Sequence, residues 1–251
     1  MATSECTYRG EDDGAPPDDL QRFLNHLNEL KATGCALLVV GDTSRELFTR
    51  ASSQLLGDDD VTRHRVLAVT DATPGSVADR LPDASASPRP LAETTRVLNH
   101  AGTPRSVTAS VSSSTSPKLA GIEETRIADP GLAGLESALC GTIDDVAADA
   151  RRLDPADLRV GIDSLAPLLD HYDVDVVEQC LEAVGDRVRA HDAMAHYVLP
   201  RGYDADAVRR LLPAVDAAVE LRALDPELHD HDAQQRWRVP KLDIETEWTP
   251  L

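Results

Sequence analysis

The sequence predicts an α/β fold, a mainly parallel β-sheet with helices on both faces, and three observations carry that expectation. Apolar runs too short for helices recur along the chain, at Cys35–Val40, Leu158–Ile162 and Met194–Leu199. These runs are nearly continuous instead of alternating, which is the pattern of strands covered on both faces. Between them lie apolar stripes at helical spacing, and strands that alternate with helices pair in parallel through helical crossovers.

Residues 1–19 are acidic, carry Gly14 and the pair Pro16 and Pro17, and read as a disordered leader; the domain is expected to span 20–251. Leu20, Phe23, Leu24, Leu27 and Leu30 form a first helical stripe, ended by Gly34. The strand Cys35–Val40 then runs into Gly41 and the polar turn Asp42, Thr43 and Ser44. Leu47, Phe48, Ala51, Leu55 and Leu56 mark the inner face of a helix that closes at Gly57. Arg65–Val69 is a second strand ending at Thr70 and Asp71, followed by a short helix over Ser76–Leu81 and a loop over Asp83–Pro90. Further strands are expected at Arg105–Val111 and, as an edge, at Glu123–Ile127, separated by a solvated Ser/Thr tract. Leu132, Leu135, Leu139, Ile143 and Val146 draw a helix leading into the strand at Leu158.

Beyond that strand, Val174, Val177, Cys180, Leu181, Val184 and Val188 give a helix from Asp173, its N-cap, to about Ala190. Met194–Leu199 is the next strand. Asp204 is expected to cap a short helix through Val208, Leu211 and Leu212. Val215–Leu221 reads as an edge strand, because Glu220 and Arg222 flank its last apolar residue. Trp237–Val239 and Ile244–Trp248 close the chain as a C-terminal β-hairpin around Pro240.

The formal net charge is −19, with 44 acidic against 25 basic residues. Such a chain lacks the basic field that would exchange for phosphate counterions, so no nucleic-acid partner is expected; nor is an anionic membrane surface. An Asp-rich surface with few lysines fits a protein kept soluble in a high-salt cytoplasm, where the Debye length shrinks to ~3 Å. No apolar stretch approaches the ~20 residues of a membrane span, and a cytoplasmic location is expected. Cys6, Cys35, Cys140 and Cys180 show neither zinc spacing nor pairing, and are read as reduced structural thiols.

Asp163 stands out because it ends the strand Leu158–Asp163, and open α/β sheets place ligands at the carboxyl ends of their strands. Strand, Gly-bearing turn and helix around Gly41 have the layout of a phosphate-binding loop. Its chemistry is missing. Setting Gly41 as the first Gly of GxxxxGK[ST] puts Glu46 at the second Gly, Leu47 at the lysine and Phe48 at the magnesium-bearing hydroxyl. Arg45 is the cation adjacent to this loop, although an exposed arginine there is more often solvated surface. His196 on its apolar strand reads as a core histidine, and His229, Asp230, His231 and Asp232 lack the i,i+4 geometry of a metal site.

The run Leu158–Leu165, the helix after it, Met194–Leu199, Ala217–Arg222 and the tail from Gln235 to Leu251 resemble the C-terminal half of RecA-superfamily ATPases of the KaiC and RadA type. They resemble more closely a group of haloarchaeal RecA/KaiC-like proteins sometimes labelled transducer-like. The resemblance implies a RecA/KaiC-like domain in which Asp163 matches the Walker B acid, the holder of any metal, and Gly41 the first P-loop Gly. It also implies a catalytic glutamate after the second strand, for which Asp71 is the nearest acid. Glu46, Leu47 and Phe48 depart from that pattern. The expectation is a non-hydrolysing regulatory or scaffold protein without a cofactor, working through a protein partner such as a RecA/KaiC-like ATPase or a signalling component, with homo-oligomerisation open. The alternative is a nucleotide sensor or ATPase holding Mg-ATP through Gly41, Thr43, Ser44, Arg45 and Asp163.

Overall fold

A computed structural model of the chain describes residues 17–57, 60–70, 77–100, 119–129, 131–150, 152–225 and 227–251. Seven strands run in parallel: β1 (Cys35–Val40), β2 (His64–Val69), β3 (Thr95–Asn99), β4 (Glu123–Arg126), β5 (Leu158–Asp163), β6 (Met194–Leu199) and β7 (Ala217–Ala223). Three more, β8 (Ala233–Val239), β9 (Ile244–Glu245) and β10 (Thr249–Pro250), join as antiparallel pairs. The order across the sheet is β10-β8-β7-β1-β6-β5-β2-β3-β4, with β9 beside β8. The mainly parallel sheet is therefore as expected, and β7 turns back into β8 as an antiparallel hairpin. β5 lies inside the sheet, between β6 and β2.

Helices cover both faces. On one face α4 (Leu132–Asp149), α6 (Val174–Ala190) and α7 (Asp206–Leu211) close over Ala36, Leu38, Val66, Val160, Ile162 and Tyr197 in a continuous apolar core. On the other face lie α1 (Pro17–Thr33) and α2 (Arg45–Leu55). Phe23 and Leu30 of α1 pack with Cys35, Met194 and Ala217, and Phe48 and Ala51 of α2 pack with Val39, Val198 and Val219. Two single-turn helices, α3 (Leu91–Thr94) and α5 (Ala166–Leu169), are also present among the described residues. Because successive strand residues alternate in direction, the inner strands send alternate side chains to the two cores.

Several local expectations are corrected. α1 begins at Pro17, inside the stretch read as leader, while residues 1–16 lie outside those described; Leu24 of its stripe is 44% exposed. β7 starts at Ala217 and is no edge strand, since β1 pairs it on one side and β8 on the other. Glu220 is tolerated there because Arg236 and Arg238 of β8 donate to its carboxylate, at 2.8 and 3.1 Å. α7 is capped by Ala205 instead of Asp204. Trp248 precedes β10, and the guanidiniums of Arg222 and Arg236 lie over its ring, 4.0 and 4.5 Å from the centroid. β3 had no sequence expectation, and the strand expected at 105–111 and the acid Asp71 fall outside the described residues. Among the described strands β4 is the edge; its four residues are all exposed, and its charged side chains discourage further pairing.

Candidate functional site at the carboxyl ends of the strands

The loop 41–44 joins β1 to α2, and its geometry follows from packing. A Cβ on Gly41 would stand 2.5 Å from the Leu221 carbonyl oxygen, so glycine is required for β7 to pass this close. The Gly41 N–H donates to the Arg201 carbonyl at 2.8 Å. Ser44 is the N-cap of α2 in extended conformation. Leu47 and Phe48 then point inward, 5% and 2% exposed, with Phe48 seated among Val39, Val198, Val219 and Leu221. The positions that would carry the lysine and hydroxyl of a phosphate loop are core residues here. Glu46 is exposed, and the buried Thr43 hydroxyl oxygen has no hydrogen-bond partner among the described residues.

The carboxylate of Asp163, a residue 2% exposed, meets two arginines. Arg80, completely buried, brings Nη2 to 2.5 Å from Oδ2, and Arg45 brings Nη2 to 3.2 Å from the same oxygen. Arg45 is 47% exposed and reaches inward from the first turn of α2. Behind the carboxylate, Thr70 at the end of β2 fixes the chain. Its N–H donates to the Asp163 carbonyl at 2.9 Å, its hydroxyl donates to the Ser164 carbonyl at 2.7 Å, and the Ser164 N–H donates to that hydroxyl oxygen at 2.9 Å. The Asp163–Ser164 peptide is cis.

A row of further polar groups lies beneath α2 on the same face. The Ser52 hydroxyl and His196 Nε2 are 2.7 Å apart. The imidazole lies across β5 where Gly161 leaves room, since a Cβ there would come 2.9 Å from His196 Cε1. Burial first, then the charges of Arg80 and Arg159, push its pKa down to about 3, so the ring is neutral. Arg65 donates from Nε to the Leu56 carbonyl at 3.0 Å and from Nη2 to Gly57 at 3.3 Å; Arg159 Nη1 reaches the Leu55 carbonyl at 3.4 Å. Two buried guanidiniums thus satisfy the carbonyl end of α2, where the helix dipole favours positive charge.

The structure brings Gly41, Arg45 and Asp163 into one neighbourhood, as the sequence suggested for the strand ends. Arg65, Arg80, Arg159 and Ser52 were missed. For Arg65 and Arg159 a signal existed: Arg65 opens an apolar strand and Arg159 interrupts one, and a charge in such a run must find partners. His196 is a core histidine, as read. Asp232 of the His/Asp cluster is held by Arg50 through bonds of 2.8 and 2.6 Å. Burial raises the Cys35 and Cys180 thiols to about 12 and also raises Cys140, which leaves all three un-ionised and unsuited to nucleophilic work. Among the described residues no helix is long and apolar enough to cross a membrane.

Fold and site together define a parallel α/β domain whose strand-end carboxylate is neutralised by arginine. The chain belongs to a family of unknown function, DUF7504, whose model matches residues 34–221, from the residue before β1 into β7. No curated protein matches it.

Proposed function

We propose that this protein is a non-hydrolysing, RecA/KaiC-like regulatory or scaffold protein that acts through contacts with a protein partner, a RecA/KaiC-like ATPase or a signalling component. The observation that carries this reading is the pairing of Asp163 with Arg80 and Arg45. A carboxylate that must hold hydrated magnesium cannot also be neutralised by a fully buried guanidinium, because expelling either partner leaves an uncompensated charge inside. The loop supports the same reading. A working phosphate loop uses a lysine and a hydroxyl, contacts worth ~1.5–3 kcal/mol each. Leu47 and Phe48 supply neither, a loss of ~3–6 kcal/mol or on the order of 10²–10⁴ in affinity. The fold is retained while the site is filled by its own side chains.

One observation favours the alternative of a nucleotide-binding sensor. Arg45 is half exposed at the start of α2, where a phosphate would meet helix N–H groups. Calorimetry with Mg-ATP at high salt separates the two readings. The scaffold reading expects only heat of dilution; micromolar binding abolished in Arg45→Gln or Asp163→Ala would establish the sensor.

A further inference from the structure

A cavity of about 700 Å³ opens at the opposite end of the sheet from Asp163. His64, which lines it, begins β2, whose last residue pairs with Asp163, so the two sites are separated by roughly 16 Å of strand. Arg89 from the loop before α3, Arg96 of β3 and Arg152 beyond α4 also line it, facing the last turn of α4. Their convergence runs against the composition of the chain, in which acids outnumber bases by 44 to 25. Within this lining the balance reverses, with three guanidiniums against the two carboxylates of Glu93 and Asp149.

Local structure answers this positive charge only through solvent-screened pairs. The carbonyl end of α4 favours a cation, but one would answer it. Each guanidinium is steadied by a single carboxylate: Arg89 by Glu93 at 2.8 Å, Arg96 by Glu123 at 3.1 Å and Arg152 by Asp154 at 3.5 Å. Those acids are all more than half exposed, so the pairs are solvent-screened and contribute little to stability. An arginine has five N–H donors, and the contacts made here engage one on Arg89, one on Arg152 and two on Arg96, the second to the Thr95 carbonyl. Planar donor edges therefore remain for a ligand, and guanidinium forks match phosphate oxygens. The volume lies in the range that holds a small metabolite.

We infer that this cavity binds a compact phosphorylated anion through Arg89, Arg96 and Arg152, at a site separate from the strand-end carboxylate. His64 fits this assignment. Burial and the Arg89 and Arg96 charges lower its pKa, so it stays neutral and offers a ring nitrogen to the ligand; a bound anion reverses part of that shift.

The test is titration of the full chain in molar potassium chloride with pyrophosphate and, in parallel, inorganic phosphate, read by calorimetry and by the His64 ring resonances. Saturable pyrophosphate binding with an upward shift of the His64 pKa is expected. The double variant Arg96→Gln/Arg152→Gln should weaken it at least ~10-fold, since each lost charge-assisted contact is worth about that factor or more. Arg45→Gln, at the other end of the sheet, should leave it unchanged. Absence of binding by either anion, binding indifferent to the double variant, or binding lost in Arg45→Gln would each overturn the assignment. Pyrophosphate binding that survives Arg96→Gln/Arg152→Gln and is lost in Arg45→Gln would place the anion at the strand ends, so failure of this assignment is distinguishable from the outcome of the Mg-ATP titration.

Discussion

At the scale of single residues the pairing of Arg80 with Asp163 decides what the strand ends can do. A guanidinium with no exposed surface, 2.5 Å from a carboxylate only 3% exposed, is a buried ion pair in which removal of either member takes a buried counter-charge from the other. Such losses run to about 3–5 kcal/mol, whereas replacing both members by apolar groups of similar volume is often neutral. Arg80→Met and Asp163→Leu should therefore each lower the denaturation free energy by about that amount, and the double variant by clearly less than the sum. Arg45→Gln, on the half-exposed side, should cost no more than ~1 kcal/mol. Guanidinium chloride denaturation read as a double-mutant cycle measures all of these; strict additivity of Arg80→Met and Asp163→Leu would remove the ion pair from the account.

At the scale of elements, the turn between β1 and α2 has the outline of a phosphate loop but is shaped by packing. Its glycine admits the Leu221 carbonyl, and the first turn of α2 turns Leu47 and Phe48 into the core. Gly41→Ala should consequently behave as an overpacking change, destabilising the fold by ~1–3 kcal/mol with or without nucleotide present. Thermal melts of the variant with and without Mg-ATP provide the check. A variant as stable as the parent would mean that the close approach to β7 relaxes freely. The carbonyl end of α2 is held as firmly as its start, because Arg65 and Arg159 reach it from the strands below.

Across the whole molecule, the net charge of −19 is spread over a surface where many pairs, such as Arg209 with Asp206 and Arg89 with Glu93, are exposed. Excess carboxylates repel one another in dilute buffer and are screened when the Debye length falls to ~3 Å in molar salt. The melting temperature should rise steeply from dilute buffer to several molar potassium chloride. A midpoint that stays constant across that series would contradict adaptation to high salt. The buried Arg80–Asp163 pair is shielded from ions, so the salt response should be the same in Arg80→Met as in the parent.

Sequence alone determined the fold class of this protein, because hydrophobic periodicity is a local property that burial must respect. Cys35–Val40, Leu158–Asp163 and Met194–Leu199 could be nothing but strands covered on both faces, and the leucine and valine stripes of α4 and α6 could only be helices laid on them. It also marked Gly41 and Asp163 as strand-end neighbours. Tertiary structure alone decided what occupies Asp163, because Arg80 lies 83 positions away in the chain and no local pattern announces such a pairing. It likewise made β7 an interior strand, since whether Glu220 and Arg222 face solvent depends on β8 arriving with Arg236, Arg238 and Gln234. The short strand β3 passed unread for the same reason: Thr95–Asn99 is stabilised by β2 and β4 beside it, and those partners come from other parts of the chain.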